Sequence, residues 1–210
     1  MLLVDDHDLF RSGLRSLLAG QGIDVVGEAP DGETAVRLAQ ELAPDVVVMD
    51  LNMPGTSGIE TTRRLTDAAP LARVLVLTIS AEDADVTNAV VAGASGYLLK
   101  DSSLQDLVAG IYAAAAGEAL ISPYIAAKLL RRIRSQSVSL DAAETLRSEL
   151  SDREIEVLKL IAIGKDNADI AHELFISPKT VKNHISNILV KLHIENRIQA
   201  AVYAIRSGIV

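Results

Sequence analysis

Val46-Val47-Val48-Met49-Asp50-Leu51-Asn52-Met53-Pro54-Gly55 opens with four apolar residues, meets an acid at Asp50 and breaks at Pro54-Gly55. A run this short, mostly β-branched and without polar alternation reads as a strand buried on both faces. The same pattern recurs on either side. Leu2–Val4, Val25–Glu28, Val74–Thr78 and Gly96–Leu99 are short, β-branched or Leu-rich, and bounded by Asp, Gly or Pro. Between them Phe10–Ala19, Gly32–Leu42, Gly58–Ala68, Asp83–Ala92 and Ser103–Ala115 carry helical spacing. Leu14, Leu17 and Leu18 are expected to share one face of the first helix, and Leu104, Leu107, Val108 and Ile111 one face of the last.

Five βα units with continuous apolar strands predict an α/β domain, a parallel sheet covered by helices on both sides. They fit the flavodoxin-like strand order 2-1-3-4-5, in which ligands bind beyond the carboxyl ends of the strands. Asp5 and Asp6 close strand one, Asp50 closes strand three, Thr78 closes strand four and Lys100 follows strand five.

Composition excludes several classes. With no Cys there is no disulfide scaffold, thiolate metal site or Cys nucleophile. Trp is absent and aromatics make up 3%, so cores must be built from Ala, Val, Leu and Ile. Met1 runs directly into Leu2-Leu3-Val4-Asp5-Asp6 without a basic region or long apolar stretch, so no signal peptide is expected. Val46–Met49 and Ile111–Ala116 are too short to span a bilayer, so no membrane partner is expected. The net charge of −8 argues against nucleic acid only when read globally. Residues 1–147 hold 12 Lys+Arg against 20 Asp+Glu, whereas residues 148–210 hold 8 of each. In 177–210 five basic residues (Lys179, Lys182, Lys191, Arg197, Arg206) face one acid, Glu195. Basic charge thus gathers where a nucleic-acid face would need it.

The character of the chain changes near residue 135. Ser122 and Pro123 suggest the start of a helix over Pro123–Arg134, followed by polar Ser135-Gln136-Ser137-Val138-Ser139. The boundaries read as one domain over 1–117, a linker with one helix over 118–147, and an all-α, four-helix domain over 148–210. In the last, Ser151-Asp152-Arg153-Glu154 is a capping box whose helix ends at Gly164. A short helix is predicted over Asn167–Phe175, another over Ser177–Lys191 and a fourth over Arg197–Arg206.

Three carboxylates at one sheet end repel each other unless a hard divalent cation takes their oxygens, and Mg²⁺ suits a phosphate site. A carboxylate there can attack a phosphoryl group and form an aspartyl phosphate. Lys100 can supply a cation to the phosphoryl oxygens and Thr78 a hydrogen bond. Leu3-Val4-Asp5-Asp6-His7, Met49-Asp50-Leu51-Asn52-Met53-Pro54-Gly55, Thr78 and Gly96-Tyr97-Leu98-Leu99-Lys100-Asp101 resemble the signature set of two-component receiver domains. The resemblance implies Asp50 as phosphoacceptor. It implies Mg²⁺ held by Asp6 and Asp50 directly, by Asp5 through water and by the Asn52 backbone carbonyl. Lys100 would pair with the phosphate, and Thr78 and Tyr97 would report phosphorylation by reorienting.

The two middle helices of the last domain are separated by a tight turn at Ile176-Ser177-Pro178. Ala168, Ile170, Ala171 and Leu174 give the first an apolar face; Val181, Ile185, Ile188, Leu189 and Leu192 give the second a buried stripe. Opposite that stripe lie Lys179, Lys182, Asn183 and Ser186, types suited to phosphates and base edges. By spacing alone this is a helix-turn-helix or a small bundle with a solvated basic face. Leu150–Leu158, Gly164, Asn167, Ile170-Ala171, Ile176-Ser177, Thr180-Val181-Lys182-Asn183-His184 and Arg197-Ile198-Gln199-Ala200-Ala201 resemble the LuxR-type helix-turn-helix. With the receiver this resembles a NarL/FixJ-type response regulator.

By that resemblance Lys182, Asn183 and Ser186 would face bases, while Lys179, Thr180, His184 and Lys191 hold the DNA backbone or support the helix. Ala200, Ala201, Ala204 and Ile205 would pair two domains about a two-fold axis. The implied partners are a sensor histidine kinase docking near Leu9, Phe10 and Leu14, promoter DNA, RNA polymerase and a second copy when phosphorylated or on DNA. The implied compartment is the cytoplasm, and the protein is expected not to be an enzyme beyond slow self-dephosphorylation. The chain departs from the pattern in places. Only four residues precede Asp5, which raises the expectation of an upstream start or a trimmed chain; Asp166 stands where Ser or Thr is frequent, and Ile198 where Thr is. Two alternatives stand beside this reading. A constitutive DNA-binding regulator is opposed by the complete acidic set, and an aspartyl-phosphate phosphohydrolase would need a substrate cap for which the chain has no room. A flavin site is disfavoured by the acidic loop after strand one.

Overall fold

The computed structural model describes residues 1–119, 125 and 150–210. The chain divides into two compact units, Met1–Leu129 and Leu130–Val210. The helix expected over Pro123–Arg134, and most of the expected linker, lie outside the described residues.

The first unit alternates β1 (Leu2–Val4), α1 (Asp8–Ala19), β2 (Gly27–Ala29), α2 (Gly32–Leu42), β3 (Val46–Met49), α3 (Gly58–Ala68), β4 (Arg73–Thr78), α4 (Asp83–Val91), β5 (Gly96–Leu99) and α5 (Leu104–Ala116). The strands form one sheet of order β2-β1-β3-β4-β5, and every pairing is parallel. The flavodoxin-like arrangement is therefore present. Successive strand residues point to opposite faces, and both faces are apolar. Leu3, Val46, Val48, Leu75, Leu77 and Leu98 pack with Leu14 and Leu18 of α1 and Leu107 and Ile111 of α5. Leu2, Val4, Val47, Met49 and Val74 pack on the other face with Ala35 and Ala39 of α2 and Leu65 of α3.

Several ends move by one or two residues, β4 beginning at Arg73 and α1 at Asp8, and two further expectations change for a physical reason. β2 runs over Gly27–Ala29 rather than Val25–Glu28, because its ladder is set by three-residue β1: Leu2, Leu3 and Val4 pair with Gly27, Glu28 and Ala29. Leu17 does not join Leu14 and Leu18; it is exposed, and Arg11 takes the third buried place on α1.

The second unit contains α6 (Asp152–Ala162), α7 (Asn167–Glu173), α8 (Pro178–Lys191) and α9 (Arg197–Arg206). The Ser151 capping box forms as expected: the Ser151 hydroxyl accepts from Glu154 N–H, and the Glu154 carboxylate accepts from Ser151 N–H at 2.8 Å. α7 ends at Glu173, earlier than expected, because Phe175 adopts a left-handed φ of 55° and Ile176 N–H closes back on the Ala171 carbonyl at 3.0 Å. Val157, Leu158, Ile161, Ile170, Val181, Ile185, Ile188 and Leu192 lie in the common core. Leu189 is partly buried at its edge, whereas Ala168 is exposed.

Candidate functional site

Sheet register builds the acidic pocket. The ladders of β1 and β3 each run one residue past the strand end, with Asp5 N–H on the Ala29 carbonyl at 3.1 Å and Asp50 N–H on the Val4 carbonyl at 2.9 Å. This fixes the two acids side by side at the carboxyl edge, 4% and 2% exposed. Lys100 N–H bonds the Thr78 carbonyl at 2.8 Å, which brings the lysine in from β5. Its ammonium then donates to Asp5 Oδ2 and to Asp50 Oδ2, each at 2.7 Å. Burial works to lower the Lys100 pKa, but the two carboxylate hydrogen bonds and their charges win and raise it.

Thr78 and Tyr97 are fully buried. The Thr78 hydroxyl accepts from Asn52 Nδ2 and from Ser80 N–H, both at 3.3 Å. Tyr97 donates its hydroxyl to the Ser80 carbonyl at 2.9 Å, and burial, then the nearby Asp85 charge, raise its pKa. The loop after β4 therefore ties both expected switch residues together. Asn52 reaches the pocket by its N–H on Asp50 Oδ1 at 3.2 Å and by its side chain on Thr78.

The carboxylates of Asp5, Asp6 and Asp50 and the His7 imidazole bring ligand atoms within 4.8 Å of one another. Asp6 Oδ1 is buried and accepts no hydrogen bond, although His7 Nδ1 lies 2.8 Å away at ion-pair distance. A set of hard oxygens with one of them unsatisfied fits a small divalent cation such as Mg²⁺.

Sequence reasoning passed over Arg11. Its guanidinium donates to the Asp5 carbonyl and to the Asp8 carboxylate, and Glu28 lies 3.6 Å away, so it pins the turn that carries the acids. The signal was its spacing: Arg11 falls three and seven residues before Leu14 and Leu18, on the buried stripe of α1. Phe10, expected at the kinase contact, places its ring under the Lys100 ammonium, 4.6 Å from Nζ. Leu14, expected at the docking surface, is 8% exposed and belongs to the core, leaving Leu9 and Leu17 as the exposed large apolar residues of α1.

In the second unit α8 is started by Ser177, which caps Thr180 N–H at 3.0 Å, and by Pro178 in its first turn. Val181, Ile185 and Ile188 face the core, which leaves Lys179, Lys182, Asn183 and Ser186 exposed together. Thr180 and His184 are half-buried at the edge of that surface.

Three cations brace the helix-turn-helix from behind. Arg153 on α6 donates to the Leu174 carbonyl in the turn, and Arg197 on α9 donates to the Lys165 carbonyl and to Asn167 Oδ1 at 2.8 Å. Lys191 donates to buried Glu154 at 2.7 Å, so a DNA phosphate would have to compete for it. Asp166 caps α7 by accepting from Asp169 N–H at 2.7 Å, and Ile198 is buried. Ala200 and Ala204, expected at a dimer interface, are wholly buried in their own domain, where α9 packs on α6; only Ala201 and Ile205 retain exposed surface.

The Glu154–Lys191 pair predicts a pH dependence. Burial works to raise the Glu154 pKa, but the Lys191 and Ser151 hydrogen bonds win and hold it below the ordinary 4.5. A depressed folded-state value stabilises above the unfolded value and loses that stabilisation as pH falls through the folded one. Thermal melting of the full chain is expected to show the second unit weakening below about pH 4.5, with a shallower fall in Glu154→Gln. Identical acid profiles would remove Glu154 from the account.

The comparisons agree with this geometry. The model described as "Response regulator receiver domain" matches residues 1–112, and "Bacterial regulatory proteins, luxR family" matches 148–204. The transcriptional regulatory protein LiaR of Bacillus subtilis (strain 168) is 45% identical over 100% of this chain and 98% of its own length. The nitrate/nitrite response regulator protein NarL of Escherichia coli (strain K12) is 40% identical over 97% of this chain and 93% of its own. Among solved structures, the RcsB–DNA complex superposes with a TM-score of 0.56 at 26% identity, covering 98% of this chain and 96% of that one. An acid-lined receiver sheet followed by a LuxR-type helix-turn-helix makes this chain a member of the NarL/FixJ-type two-component response regulators.

Proposed function

We propose that Asp50 accepts a phosphoryl group from a sensor histidine kinase and that this controls promoter binding through α8. The observation that carries the reading is the Lys100 ammonium held 2.7 Å from both the Asp5 and Asp50 carboxylates at adjoining strand ends. An Asp50 carboxylate oxygen attacks the phosphorus while the bond from phosphorus to the donor imidazole nitrogen breaks, and the electron pair returns to that ring. Asp6 and Asp50 directly, Asp5 through water and the Asn52 carbonyl would hold Mg²⁺, which supplies positive charge to the phosphoryl oxygens when bound. Lys100 exchanges its Asp50 bond for a phosphoryl oxygen. Thr78 turns its hydroxyl to the same group, releasing Asn52 and Ser80, and Tyr97 follows through the Ser80 carbonyl. Slow hydrolysis resets the switch, without turnover of an external substrate.

The shift favours a homodimer, with Ala201 and Ile205 among the partly exposed residues of α9, that binds two half-sites in the cytoplasm. Lys182, Asn183 and Ser186 address bases; Lys179, Thr180 and His184 address the backbone or support α8, and Lys191 acts by fixing α8 to Glu154. The receiver is read as 1–117, the connection as 118–147 and the DNA-binding domain as 148–210, with RNA polymerase as a further partner on the promoter.

Intact-protein mass after incubation with acetyl phosphate and Mg²⁺ tests the first step. One phosphoryl adduct is expected on the wild type and none on Asp50→Ala. No adduct on a folded wild type would favour phosphorylation-independent DNA binding. Asp50→Asn is then expected to lower promoter occupancy at fixed protein concentration, and unchanged occupancy would sever the link between the units.

A further inference from the structure

We infer that Phe10 is a positioning residue for Lys100, its ring holding the lysine ammonium in place to receive the phosphoryl group on Asp50; this rests on the function proposed above. An ammonium has three N–H donors. Two of them are engaged by Asp5 and Asp50, each at 2.7 Å. Phe10 lies 4.6 Å from Nζ to its ring centroid, inside the roughly 6 Å reach of a cation–π contact. The Lys100 side chain is only 15% exposed, so little water screens the attraction.

The ring is itself held. Phe10 stands on α1 next to Arg11, whose guanidinium is bonded to the Asp5 carbonyl, and packs against the sheet face of Leu3, Val48 and Leu77. Phe10 and Arg11 thus grip the two ends of one ion pair, the lysine by its charge and the aspartate by its backbone. When Asp50 gains a phosphoryl group, Lys100 must give up its Asp50 bond and take a new one. Its bond to Asp5 and its contact with Phe10 are the two fixed points about which that exchange can occur. Without the ring the ammonium takes up water, and part of its hold on the phosphoryl oxygens is lost.

The test replaces Phe10 with phenylalanines carrying increasing ring fluorine, which drains the face of negative charge while nearly keeping the shape. Phe10→Tyr and Phe10→Leu accompany the series. Calorimetry of beryllofluoride binding with Mg²⁺, a stable phosphoryl mimic, gives an affinity without relying on turnover. The expected result is a graded loss across the fluorinated series of about two- to fivefold, wild-type affinity in Phe10→Tyr, and the largest loss in Phe10→Leu. A flat fluorinated series overturns the inference even if Phe10→Leu binds poorly, because the ring would then act by volume alone. Should Phe10→Leu fail to fold, the fluorinated series decides by itself. Wild-type protein that neither binds beryllofluoride nor takes the phosphoryl adduct overturns the proposed function, and this inference with it.

Discussion

A Lys100→Met variant is expected to melt about 10 °C below the wild type in magnesium-free buffer and to recover most of that difference when Mg²⁺ is added. Asp5 and Asp50 are almost wholly buried, and the one ammonium between them is what makes two ionised carboxylates tolerable there. Removing one member of a buried ion pair costs 3–5 kcal/mol because the remaining charge is left unpaired. The lower end, about 3 kcal/mol, applies here. Lys100 keeps some exposure, and His7 N–H and Asn52 N–H still donate to Asp5 and Asp50. Mg²⁺ held by the folded state as proposed would stabilise it by mass action, and more strongly where no lysine competes for the same oxygens. The measurement is a thermal melt by circular dichroism with and without Mg²⁺. A variant that melts with the wild type in metal-free buffer would show that the carboxylates relieve their repulsion without Lys100.

Gly58→Ala is expected to be at least as damaging, for a steric reason. A Cβ on Gly58 would lie 2.1 Å from the Asp50 carbonyl oxygen and 2.6 Å from the Leu51 Cα. Both are backbone atoms, and Gly58 N–H is bonded to the Leu51 carbonyl at 3.1 Å, so the first turn of α3 sits directly on the chain leaving β3. No side chain can rotate away; either α3 or the segment leaving Asp50 must move. Overpacking costs 1–3 kcal/mol where side chains can adjust, so about 3 kcal/mol or more is expected here. Phosphorylation by acetyl phosphate should slow as well, because the loop that shifts carries Asp50. Gly13→Ala is the control. That exposed helical position meets nothing within 4 Å, so alanine should leave stability unchanged or raise it by up to about 1 kcal/mol. Equal melting temperatures for Gly58→Ala and Gly13→Ala would contradict the close approach of α3 to the loop.

Much of this was legible in the sequence because a parallel sheet announces itself. Val46–Met49 has no polar residue to place on a solvent face, and three of the five strands begin and end where the apolar runs do. Strand order then placed Asp5, Asp6, Asp50, Thr78 and Lys100 at one edge without any coordinates. What escaped was set by partners rather than by local pattern. β2 took its length from β1. Ala200 and Ala204 gave no sign in their own spacing that the core of their own domain buries them. Arg11 and Phe10 act on the pocket from a helix read for its leucines, and only the packing of α1 against the sheet brings the guanidinium to Asp5 and the ring to Lys100. Lys191 counts toward the basic charge of the C-terminal stretch, but the reach of its side chain to Glu154 depends on how α8 crosses α6.

The bracing of the helix-turn-helix by Arg153, Lys191 and Arg197 has a consequence for the ion atmosphere of DNA. Each phosphate that a protein cation neutralises releases condensed counterions, and log affinity falls with log salt by about 0.9 per phosphate. Cations bound to the Leu174 and Lys165 carbonyls and to Glu154 displace no such ions. On the described surface of α8, Lys179 is the cation proposed to meet the backbone, and two copies of that helix correspond to a slope of about −2. On the proposed roles, promoter binding should therefore survive changes in ionic strength that would release a more basic regulator, with its selectivity resting on Lys182, Asn183 and Ser186.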